Sequence, residues 1–136
     1  MGAVFFGKGR WDMLTITQAD NRTEIQDLCA RAGIPQSDKL QCFVARSRGE
    51  VLGFCLYEEE PAGIRILAVD AGGDGPLFDG LLRAVFWSAS QRGIEPAEFA
   101  PSVDRTLLRQ YRFLTDGTEN VESMSEFLEQ CKNCKN

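Results

Sequence analysis

The chain has 136 residues, 15 Lys plus Arg, 20 Asp plus Glu, five cysteines and no histidine, with a net charge of −5. At about 100–200 residues per domain this is one domain, long enough to bury a core without disulfide or metal staples, and 43% hydrophobic with 26% charged residues excludes wholesale disorder. The missing histidine removes Ser-His-Asp and Cys-His hydrolases and His-ligated zinc or haem, and a pI near 4.8 argues against phosphate-backbone binding, so no nucleic-acid partner is expected.

An odd cysteine count forbids complete intramolecular pairing. Cys29, Cys42 and Cys55 lie within apolar segments, whereas Cys131 and Cys134 sit together at the C-terminus. That pattern suits a reducing, cytoplasmic setting. The start MGAVFFGKGRW is too short an apolar stretch for a signal peptide or membrane span, so no membrane partner is expected. Its Met-Gly opening lacks the Ser or Thr that myristoylation wants, since Phe6 stands there.

Leu14 and Ile16 alternate with Thr15 and Thr17, which predicts a half-buried strand opening the folded domain over residues 13–136. Residues 1–12 are then an extension, either an added strand or arm or a loose leader. In NRTEIQDLCARAG, Asn21 is placed to cap a helix and Glu24 to close a capping box, with Ile25, Leu28, Cys29 and Ala32 on one face and Gly33 as the stop. This makes Cys29 a small core residue. From Gln41 to Asp70 the chain reads as three antiparallel strands, QCFVARS, EVLGFCLYE and IRILAVD, with turns at Arg48-Gly49 and EEPAG. Gly53 should mark a bulge or a close backbone approach. Glu58, Glu59 and Glu60 should form a solvated turn.

A glycine-rich loop follows, AGGDG, and leads into a long helix with Pro76 near its start and Gly93 beyond its end. Leu77, Phe78, Leu81, Leu82, Ala84, Val85, Phe86 and Ala89 give that helix a broad apolar surface to lay on a sheet. A short strand, AEFA, leads into the predicted helix VDRTLLRQYRF, with an apolar stripe of Val103, Leu107 and Tyr111 and a basic one of Arg105, Arg109 and Arg112. The acidic tail that follows reads as a strand, a helix or one after the other. An apolar tail and an N-terminal arm favour a homodimer.

This order of elements, together with RGEVLGF at 48–54, LAVD at 67–70, LLRA at 81–84 and Gly93-Ile94, resembles the GNAT superfamily of acyl-CoA-dependent N-acyltransferases over residues 13–114. The resemblance implies an α/β fold, a mixed, mostly antiparallel sheet flanked by helices. It implies acetyl-CoA, or a related acyl-CoA, as co-substrate and an amine as acceptor, with direct attack of the amine on the thioester. Leu67, Ala68 and Val69 then fall on the strand that holds the pantetheine arm. Gly72, Gly73 and Gly75 form the cradle for the pyrophosphate, with Arg83 or the Arg105/Arg109/Arg112 stripe reaching in to neutralise it. Tyr111 is the candidate acid for the departing thiolate, and Tyr57 a weaker one.

The chain departs from the family pattern at two places. Aligned on LLRA, the family's Arg or Gln becomes Gly73, its first loop glycine Pro76 and its second Phe78, which would crowd the phosphates; Asp70, Asp74 and Asp79 surround the loop. In the later helix Leu108 takes the place of the family's tyrosine, and Tyr111-Arg112-Phe113 stands for Leu-Gly-Phe. These departures leave open a second reading, a non-catalytic binding or regulatory module of the same fold, with Cys131 and Cys134 as a metal or redox pair.

Overall fold

The computed structural model describes the backbone of residues 4–6 and 14–133 and the side chains of residues 14–130. Its elements are β1 (Val4–Phe6), β2 (Leu14–Gln18), α1 (Arg22–Ala32), β3 (Leu40–Ser47), β4 (Glu50–Glu60), β5 (Gly63–Asp70), α2 (Gly75–Gln91), β6 (Ala97–Phe99), α3 (Arg105–Gln110), β7 (Asn120–Val121) and α4 (Met124–Asn133). The seven strands make one sheet in chain order, antiparallel at every pairing except the parallel β5–β6 step. The expected mixed, mostly antiparallel sheet flanked by helices is what forms. Within the N-terminal extension, Val4–Phe6 pairs with Leu14–Ile16. The tail resolves into a strand and then a helix.

Two cores sit on the two faces, and strand periodicity assigns residues to them. Cys42, Val44, Phe54 and Leu56 face α1 with Ile25, Leu28 and Cys29, while Phe43, Ala45, Cys55 and Tyr57 face α2. Every apolar position predicted for α2 is buried. Phe86 on α2 meets Phe113 and Phe127 edge-on at 5.4 and 5.6 Å, and Phe113 and Phe127 stack at 4.6 Å, which ties α4 onto α2.

Local signals set most boundaries. The Asn21 side chain accepts from the backbone N–H groups of Thr23 and Glu24, and Gly33 closes α1 at φ 72° with Ile34 N–H donating to Cys29 O. Glu24 does not complete the capping box. Its carboxylate accepts from Arg46 on β3 at 2.6 Å, a tertiary contact that outcompetes the local one. Arg48 and Gly49 both take positive φ, 54° and 81°, the left-handed pair that a tight two-residue hairpin requires. Glu58, Glu59 and Glu60 do not form a turn but finish β4, where Glu60 pairs with Lys39 at 2.6 Å and Glu59 with Arg92. α3 is shorter than its sequence pattern because Arg112 adopts φ 68°, and the Phe113 N–H closes back on Leu108 O.

Two bulges interrupt the meander. On β4, Ala45 pairs with Gly53 but Arg46 with Val51, which leaves Leu52 as the extra residue. Beside it, a Cβ added at Gly53 would lie 2.6 Å from Asp70 O and 3.0 Å from a Leu77 methyl, so glycine is demanded by the backbone of β5 and the first turn of α2. Gly53→Ala is therefore expected to lower unfolding free energy by about 1–3 kcal/mol at unchanged denaturant slope. Urea titration of the two proteins measures it; equal midpoints would show that the close approach costs nothing to relieve.

Candidate active site

The second bulge lies on β5. Tyr57 pairs with Ile66 and Leu56 with Ala68, so Leu67 is the unpaired residue. One extra residue reverses the facing of all that follows. Ile64 and Ile66 point to the α2 core, yet beyond the bulge it is Val69 that packs there while Ala68 turns to the α1 side. Leu67, Ala68 and Val69 are all half-buried.

At the same point β5 loses its other neighbour. The parallel ladder with β6 covers only Ile64–Ile66 against Ala97–Phe99, and its last bond is Ala100 N–H to Ile66 O at 2.8 Å. Pro101 has no N–H with which to continue the ladder, and the chain turns away. Ser102 then reaches back, its hydroxyl donating to Leu67 O at 2.9 Å. Beyond Ile66 the two strands are no longer paired, and the β5 wall of the opening between them is Leu67–Asp70, held to β4 through Ala68, Val69 and Asp70.

From the mouth of this opening the chain enters the glycine loop. Gly72 and Gly73 take φ 61° and 81°, and Asp74 N–H closes the turn on Ala71 O at 3.0 Å. Two carboxylates are turned inward onto this backbone. Asp70 accepts from Gly72 N–H at 3.2 Å, and Asp74 caps α2 by accepting from Leu77 N–H at 3.1 Å. Pro76, in the first turn, carries no N–H.

Tyr111 comes to this loop from the C-terminal end of α3. A Cβ added at Gly75 would lie 2.4 Å from the Tyr111 hydroxyl and 3.2 Å from its ring, so the half-buried tyrosine seats on the bare first residue of α2. Thus Leu67–Val69, the three glycines and Tyr111 form one contiguous region.

Arg83 is not part of that region. It lies eight residues beyond Gly75, about 12 Å along α2, where it pairs with Asp79 at 2.9 Å and stacks over Phe127 at 5.1 Å. The Asp79 carboxyl is held above the ordinary carboxylate range by burial, which the Arg83 contact only partly offsets. Arg105 also turns inward, donating to the carbonyls of Ala100, Val103 and Phe99 at 2.8–3.1 Å, and so fixes the loop before α3. Phe78 corrects another expectation. It is 2% exposed and packs into the α2 core, so it leaves the loop uncrowded. Tyr57 is fully buried, accepts from Gln18 Nε2 at 3.1 Å, and has its hydroxyl pushed well above the usual tyrosine range by burial.

No family model matches the sequence, and no curated protein matches it. Solved structures do. The ribosomal-protein-alanine N-acetyltransferase of Brucella melitensis biovar Abortus 2308 superposes with a TM-score of 0.58 at 17% identity, over 78% of this chain and 96% of that one. An aminoglycoside acetyltransferase from an uncultured soil metagenomic sample gives 0.57 at 18%, over 79% and 90%. An aminoglycoside N-acetyltransferase in complex with CoA gives 0.53 at 16%, over 90% and 92%. The chain has the GNAT fold.

Within this GNAT fold two features were not flagged by the sequence. Ser102 follows a proline in an unremarkable loop, and only the end of the β5–β6 ladder reveals its bond. A cavity of about 800 Å³ lies at the opposite end of α2, lined by Gln18, Gln41, Phe43, Trp87, Gln91 and Arg92 among others. The Cys131–Cys134 pair lies outside the described side chains. No helix among the described residues is long and apolar enough to cross a membrane.

The remaining cysteines are inert by environment. Burial raises the Cys29 thiol, pushes Cys42 up to about 12 and holds Cys55 well above its ordinary value. In the folded protein at pH 8, Cys29, Cys42 and Cys55 are expected to resist an alkylating reagent and to label fully in denaturant. Peptide mapping reads this residue by residue, and rapid native labelling of any of the three would contradict its assignment to the core.

Proposed function

We propose that this protein is an N-acyltransferase that moves an acyl group, acetyl in the simplest case, from a pantetheine thioester of the coenzyme A type to an amine. The observation that carries this reading is the opening between β5 and β6, which begins at the last Ile66–Ala100 bond and has the Leu67 bulge in its wall. The structural neighbours support it: their names specify acetyl transfer to the alanine of a ribosomal protein and to aminoglycosides, and one was solved with CoA.

The chemistry asked of the protein is modest and compatible with the absence of imidazole. The amine nitrogen attacks the thioester carbonyl, a C–N bond forms and the C–S bond breaks. The nitrogen loses a proton to solvent and the thiolate gains one. An extended arm lies along the Leu67–Val69 backbone, which supplies hydrogen bonds to its amides and a donor to the thioester oxygen. Ser102 holds the Leu67 carbonyl and so fixes the bulge geometry on which that donor depends. Tyr111 supplies the proton to the thiolate, as its hydroxyl borders the same region.

Thiol release from acetyl-CoA in the presence of a panel of primary amines tests this reading. Saturable, amine-dependent release is expected, and Tyr111→Phe, which keeps the ring packed on Gly75, should lower kcat about a hundredfold with little change in KM for the thioester. Unchanged kcat would take Tyr111 out of the mechanism; failure of every amine, with no binding of acetyl-CoA, would overturn the function.

A further inference from the structure

Building on that reading, we infer that the donor is recognised through its acyl-pantetheine arm and that the nucleotide pyrophosphate of coenzyme A contributes little. A polyanion is held at a strand-to-helix glycine loop when several backbone N–H groups converge on it, aided by the positive end of the helix. A helix leaves its first N–H groups open for such a ligand. Here two of the N–H groups of the loop and first turn are taken by the chain itself. The Leu77 N–H is bonded to the Asp74 carboxylate and the Gly72 N–H to the Asp70 carboxylate. Pro76 has none. Among the described residues Gly73 and Gly75 make no such bond.

Among the described residues, two of the arginines the sequence offered for this role are engaged elsewhere. Arg83 is turned along α2 toward Asp79 and Phe127, and Arg105 is bonded to three backbone carbonyls. A pyrophosphate that used the Gly72 or Leu77 N–H would have to displace an aspartate from it, which exchanges one anion contact for another, and it would sit beside both carboxylates. On the arm's side, among the described residues, only the Leu67 carbonyl is taken, by the Ser102 hydroxyl. The arm is uncharged and extended, and the β5 wall of the opening is free of a partner strand beyond Ile66. The two halves of the donor site therefore differ: the arm meets a strand edge unpaired beyond Ile66, the pyrophosphate two N–H groups already bonded to aspartates.

The experiment compares acetyl-CoA with S-acetylpantetheine, which carries the same thioester and arm without phosphates, by calorimetric titration of the full chain. Affinities within about tenfold of each other are expected, and acetyl-CoA binding should change less than about threefold between roughly 50 and 500 mM salt. Acetyl-CoA binding tenfold or more tighter, or falling steeply with salt, overturns this inference and leaves the acyltransferase reading standing. If neither compound binds at millimolar concentration, both fall together. In Asp70→Ala/Asp74→Ala, which frees the two N–H groups, the preference should move toward acetyl-CoA by about tenfold or more; a ratio that does not move in a folded variant overturns the role given to the carboxylates. If the alanine pair does not fold, Asp70→Ala alone, which leaves the Asp74 cap of α2 in place and frees the Gly72 N–H, is compared in the same way, and a ratio that does not move overturns the role given to the Asp70 carboxylate.

Discussion

The parallel pairing of β5 with β6 lasts three residues, and its early end is the constraint around which the rest of the molecule is arranged. Backbone groups stripped of a partner must find another, be solvated, or remain available to a ligand. Ser102 takes one of them, the Leu67 carbonyl, and the Leu67 bulge re-aims the residues that follow. Without that extra residue Ala68 would face α2 and Val69 would face α1, against the packing seen. The opening is thus stabilised on its β4 side by regular pairing and on its outer side by a single side-chain hydroxyl.

The helices support this arrangement. Residue 53 must lack a side chain because Asp70 O and Leu77 lie against it, which presses the start of the glycine loop onto β4. The Phe86, Phe113 and Phe127 cluster anchors α4 and the segment after α3 to α2, and Tyr111 is carried to Gly75 as part of the same packing. The site is built on rigid elements, with its loop locked by its own aspartates.

Local signals in the sequence were legible where short-range physics decides them. Asn21 and Gly33 bracket α1 because a side-chain cap and a left-handed stop act within a few residues. The hairpin at Arg48-Gly49 and the buried face of α2 follow from turn chemistry and the 3.6-residue period. Legibility fails wherever a distant partner wins. Glu24 leaves its capping box for Arg46, and Glu59 and Glu60 stay in β4 through Arg92 and Lys39. The span of α3 was overestimated because nothing in Tyr-Arg-Phe announces that an arginine will take the left-handed conformation where a glycine is usual.

By itself, then, the sequence determined the order of elements from β2 to α3, the two-faced sheet and the exclusion of imidazole chemistry, since all three depend on composition, periodicity and neighbouring residues. It also located the candidate segment, Leu67 to Gly75. The tertiary structure decided what that segment can hold. Whether an aspartate surrounds a phosphate site or fills it, whether Arg83 points to the loop or away, and where β5 parts from β6 depend on hydrogen-bond directions and on contacts between residues far apart in the chain. Those are settled only when the sheet and helices pack.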